Sequence, residues 1–79
     1  MQKEEMKKKI ESSFQPYHCG VKFLPTYETV KTELKLRVSN DDDSLVYEDG
    51  ADLKAARHDL HQLITWWREE ATKKGFKLS

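Results

Sequence analysis

Over residues 29–38, Val30, Thr32, Leu34, Leu36 and Val38 alternate without a break against Lys31, Glu33, Lys35 and Arg37. A period of two fits a pleated strand with one dry and one wet face; a helix would repeat its apolar residues every three or four positions. Because an all-parallel sheet buries both faces, this alternation predicts an antiparallel sheet covered on one side. Upstream, Met6, Ile10 and Phe14 recur every four residues among Lys and Glu, predicting an amphipathic helix over residues 2–14. Pro16 and Gly20 close that helix, and Tyr17, His18 and Cys19 between them read as a turn. Val21 and Phe23 share a parity and predict a short strand, which Pro25 makes an edge strand or ends.

The polar run Ser39, Asn40, Asp41, Asp42, Asp43 and Ser44 predicts a turn, followed by a short third strand over residues 45–48. Asp49 reads as an N-cap for a last helix over residues 51–74, which Gly75 stops, with Phe76 folding back as the apolar contact of a C-cap. At about 100° per residue, Leu53, Ala56, Leu60, Leu63, Ile64, Trp67 and Ala71 form one stripe, the expected core face. Lys54, Arg57, His61 and Arg68 fall on one flank of the stripe. Asp52, Asp59 and Glu70 fall on the other, together with Trp66. Two adjacent tryptophans point about 100° apart, so Trp67 is assigned to the core and Trp66 to the margin. There Trp66 either seals the core against Met6 or Ile10 or serves as a binding anchor.

These elements predict one small two-layer α+β domain over residues 1–79, in the order α-β-β-(β)-α. Its antiparallel sheet has two or three strands, and both helices pack on one face. With 79 residues, the core is near the size at which stability becomes marginal. Lys plus Arg and Asp plus Glu each number 14. No global field therefore draws the protein to nucleic acid or membrane, and any electrostatic role rests on local segregation. One cysteine excludes an internal disulfide. No apolar run approaches membrane-spanning length, and the first residues lack the apolar stretch of a signal peptide, so a cytoplasmic protein is expected.

The chemistry-bearing residues do not assemble a motif. His18 and Cys19 are sequence neighbours, a poor geometry for a base that must activate a thiol. His58 and His61 are three apart on the last helix but have no third ligand at usable spacing. Asp41, Asp42, Asp43, Glu48 and Asp49 do not follow the alternating register of a calcium loop. Neither catalysis nor a cofactor nor a metal is expected. For nucleic acid, Lys54, Arg57, His61 and Arg68 are the candidate phosphate contacts. The wet face of residues 29–38 carries no aromatic on which bases could stack.

The order helix, three strands, helix resembles that of the double-stranded-RNA-binding domains, a family that reads RNA shape and phosphates. The resemblance covers element order alone. The last helix here opens with Ala51, Asp52, Leu53 and Lys54, preceded by acids, and not with a lysine cluster. The expected role is a non-catalytic protein-binding or regulatory module with Trp66, Asp59 and Glu70 as its contacts. Its partner is another protein or a second copy of the chain. The alternative is a nucleic-acid-binding module that uses the basic flank.

Overall fold

The structure, a computed structural model, describes residues 2–26 and 31–78. Among these residues the chain forms α1 (Lys3–Ser12), β1 (His18–Thr26), β2 (Lys31–Ser39), β3 (Val46–Asp52), α2 (Leu53–His58) and α3 (Leu60–Lys74). The sheet is antiparallel in the order β1-β2-β3, with β2 in the centre. Thr29 and Val30, at the start of the predicted alternation, lie outside the described residues.

The alternation in β2 works as the period-two argument requires. Leu34, Leu36 and Val38 are buried, while Lys31, Lys35 and Arg37 are exposed. Directly opposed residues share a face, so the register extends this dry face to Cys19, Val21 and Phe23 on β1 and to Tyr47, Asp49 and Ala51 on β3. All three helices cover that face. α1 packs on β1, α2 on β2 and β3, and α3 on β3 and α2. Met6, Ile10, Phe14, Leu53, Ala56, Leu60, Trp67, Ala71 and Phe76 join the strand residues in one buried cluster. Among the described residues, no helix lies over the opposite face of the sheet.

Several element boundaries differ from expectation. The first helix ends at Ser12, not at Phe14, because the hydroxyls of Ser12 and Ser13 both donate to the Lys9 carbonyl, at 3.1 and 2.7 Å, and offer the backbone an alternative to another helical turn. Phe14 still completes the buried row begun by Met6 and Ile10. The predicted turn at Tyr17, His18 and Cys19 is mostly strand: His18 pairs with Ser39, Cys19 with Val38 and Gly20 with Arg37. Pairing with β2 overrides the turn signal of the Gly and Pro. Pro25 lies inside β1, opposite Thr32. An edge strand tolerates its missing N–H.

The third strand is longer than residues 45–48 and consumes Asp49, Gly50 and Ala51. Asp49 is therefore no N-cap. Its carboxylate accepts from the Tyr47 hydroxyl at 2.6 Å and from the Gly50 N–H at 2.7 Å, on the dry face. Asp52 takes the capping role and accepts from the Lys54 N–H at 3.4 Å.

The single helix expected over residues 51–74 is two helices. Asp59 leaves helical geometry (φ −149°, ψ 77°), and its carboxylate caps α3 by accepting from the Gln62 N–H at 3.1 Å. A short acidic side chain with a free backbone donor three residues ahead favours a cap over continuation. At 15 residues, α3 spans about 22 Å.

The C-terminal stop is as expected. Gly75 adopts φ 122°, with the Gly75 N–H donating to Thr72 and the Phe76 N–H to Ala71, both at 3.1 Å. This is the Schellman pattern, and it turns Phe76 into the core. Tyr17 meets the Phe76 ring edge-on at 4.8 Å and accepts from the Lys77 N–H at 2.9 Å, which ties the chain's end to the α1–β1 connection.

Candidate functional site

The two tryptophans separate as the helical geometry demands. Trp67 is fully buried, and Trp66 is 46% exposed. At the margin, Trp66 keeps nearly half of its surface in solvent. Among the described residues, Leu24 and Trp66 are the exposed large hydrophobics. Glu70 lies one turn after Trp66 on the same side of α3, half-buried, with its Oε1 3.4 Å from Lys73 Nζ. Asp59 stands at the head of the helix with its carboxylate committed to the Gln62 N–H. Both acids thus already hold local partners.

The basic set is divided by the break at Asp59. Lys54 and Arg57 belong to α2, where they line a shallow depression with Asp52 and His58. His61 and Arg68 belong to α3. Lys54, Arg57 and His61 are exposed and Arg68 is half-buried. A single flank for all four assumed one unbroken helix; the structure instead sets two pairs on two helices.

The remaining reactive side chains have structural employment. His18 Nε2 and Asp41 Oδ1 stand 3.0 Å apart, both exposed, joining β1 to the β2–β3 turn. Within that turn Asp42 accepts from the Ser44 N–H at 3.1 Å, and the Ser44 hydrogen bonds hold its carboxyl below the usual range. Asn40 accepts from the Leu45 N–H at 3.1 Å, and Asp43 takes a left-handed φ of 57°. Short polar residues are making the turn they predict. Among the described residues, no three His, Cys, Asp or Glu side chains are grouped to hold a metal ion.

Cys19 lies half-buried on the dry face, and burial, followed by the charge of Glu11, pushes its thiol up to about 12 from 9.0. Thiolate is the reactive form. Alkylation of native protein at pH 8 is therefore expected to run on the order of a hundred-fold or more below that of the denatured chain. The unfolded thiol ionises near 9.0 and the folded one near 12. The contribution of Cys19 to stability is accordingly complete below pH 9 and lost as pH rises towards 12. Equal alkylation rates in native and denatured protein would contradict its place under the helices.

The uncovered sheet face holds an open hollow of about 940 Å³. His18, Cys19, Gly20, Lys22 and Leu24 line it from β1, Lys35, Leu36, Arg37 and Ser39 from β2, and Glu48, Asp49 and Gly50 from β3. Lys35 Nζ lies 3.2 Å from Glu33 Oε1, and Arg37 Nε lies 3.9 Å from Glu48 Oε1. The wet half of β2 was legible in the sequence. Its neighbours were not, because only the strand register brings Gly20 beside Arg37 and Lys22 beside Lys35. The available signal was the parity of Gly20, Lys22 and Leu24 against Cys19, Val21 and Phe23.

Comparison with protein-family models, with curated proteins and with solved structures finds no match to this chain.

Proposed function

We propose that this domain is a non-catalytic module that binds another protein, with Trp66 as the anchor of the contact. The observation that carries it is the exposure of Trp66 on a helix whose next residue is the largest fully buried side chain of the core. Tryptophan combines a large apolar area with one hydrogen-bond donor and few rotatable bonds, and it is enriched among residues that dominate interface energies. Leaving it in water forgoes burial that a small domain could use. Asp59, which caps α3, and Glu70, on α3, give that helix an acidic character on which the rim of such a contact can draw. A cytoplasmic setting is part of the same proposal.

Capture by immobilised wild type and Trp66→Ala, followed by nuclease treatment, tests it. A protein that withstands nuclease is expected on the wild type. Its affinity should fall by about 2 kcal/mol or more in Trp66→Ala, roughly thirty-fold, while the far-ultraviolet spectrum stays unchanged. Release by nuclease would overturn it in favour of a second reading, phosphate binding at Lys54, Arg57, His61 and Arg68. The observation behind that reading is the shared depression of Lys54 and Arg57 on α2. Its signature is a steep loss of binding with salt and with Arg57→Ala.

A further inference from the structure

On the uncovered sheet face, two residues are chosen against the stability of the strand they occupy. Gly20 sits inside β1 with no positive φ, and a Cβ built there meets nothing within 4 Å. Neither backbone conformation nor close packing calls for glycine, although glycine weakens a strand interior and often marks where a ligand approaches. Two residues on, Lys22 stands directly opposite Lys35. Like charges directly across a strand pair repel. Both anomalies adjoin the same hollow, the second only partly offset by Glu33 beside Lys35, and sites that break local rules are where function is expected.

Three cations stand next to Gly20 on this face. Arg37 is opposite it, Lys22 follows it on the same face, Lys35 lies diagonally across, and His18 precedes it. The face also carries Glu33 and Glu48, each beside one of these cations, and Asp52, which caps α2. Lys22 makes no ion pair among the described residues. Leu24, 44% exposed, offers apolar surface at one end of the hollow. At the other end His18 already takes a carboxylate, that of Asp41 at 3.0 Å.

We infer that the hollow over Gly20 is a docking site for an extended acidic segment of a protein partner, with its carboxylates on Lys22, Lys35 and Arg37 and an apolar side chain against Leu24. Charge complementarity selects the acidic occupant. A peptide fits better than a nucleic acid, because the described part of this face has no Phe, Tyr or Trp for bases to stack on. Glu33 and Glu48 also oppose a continuous run of phosphates, whereas discrete carboxylates can be spaced to avoid them. The site is independent of Trp66, which stands on a helix of the opposite layer.

The test is fluorescence anisotropy with a labelled peptide of alternating Glu and Val, a matching peptide of Lys and Val, and a short RNA duplex. It is accompanied by amide shift mapping of the labelled protein. The Glu–Val peptide alone is expected to bind saturably, moving the amides of Gly20, Lys22 and Arg37. Gly20→Val fills the hollow and Lys22→Glu turns the repelling pair into an attracting one. Each should weaken binding about ten-fold or more while leaving the thermal midpoint equal or higher, so unfolding cannot mimic the result. Trp66→Ala should bind the peptide as wild type does, which separates failure here from failure of the anchor proposal. No saturable binding, equal binding by Gly20→Val, or RNA moving the same amides would overturn the inference. So would sedimentation showing a second copy in the hollow, displaced by Lys22→Glu.

Discussion

Trp67→Ala is expected to cost about 3–5 kcal/mol, against a total stability of about 4–12 kcal/mol for a chain of this length. Trp67 is the largest side chain with no solvent exposure, and it stands on α3 among residues that face the sheet. Truncation removes the transfer energy of the indole and leaves a cavity that a core of this size has little means to close. Urea denaturation followed by circular dichroism measures the loss. Trp67→Phe sharpens the reading. Among the described residues the Trp67 Nε1–H finds no acceptor, and a buried donor without a partner carries a desolvation penalty. Phenylalanine removes that donor along with part of the ring, so the two effects oppose and the net cost should be only about 1 kcal/mol. A loss below about 1 kcal/mol in Trp67→Ala would mean that α3 does not close the core at this point.

Sequence patterns exposed those parts of the fold whose cause is local. The alternation of β2, the four-residue row of Met6, Ile10 and Phe14, and the stop at Gly75 and Phe76 each depend on neighbours within one element. The break at Asp59 was also encoded locally, as an acidic cap with Gln62 three positions on, the arrangement of a capping box. An apolar stripe that keeps its spacing straight across residue 59 concealed it, since continuous periodicity argues for a continuous helix. That concealment spread to the site: a basic flank derived from one rod became two separate pairs once Lys54 and Arg57 were placed on α2 and His61 and Arg68 on α3. The hollow over Gly20 was hidden for a different reason. Its walls come from three strands, and their alignment is set by register, which no single segment specifies.

Leu34→Lys is expected to abolish the cooperative folding transition, while Lys35→Leu, one residue away, should change stability by no more than about 0.5 kcal/mol. Leu34 has no solvent exposure, and its opposite residues on the sheet are Phe23 and Ala51, neither of which carries a negative charge to pair with an ammonium. A lysine there must bury an unpaired charge or give up its proton, at several kcal/mol either way, and it also forfeits the packing of the leucine. Leu36 would be a poorer choice for this experiment, because Asp49 lies directly opposite and could receive the charge. Lys35 points to the uncovered face, where its ammonium reaches Glu33 at 3.2 Å with both groups well exposed. Such pairs contribute little, and leucine at that point also removes the repulsion from Lys22. Thermal melts of the two variants beside wild type measure how one-sided the sheet is. A folded Leu34→Lys with a near-native midpoint would mean that the helices do not seal the dry face. A strongly destabilised Lys35→Leu would mean that the opposite face is not free, and that the hollow over Gly20 is closed in solution by something the chain itself supplies.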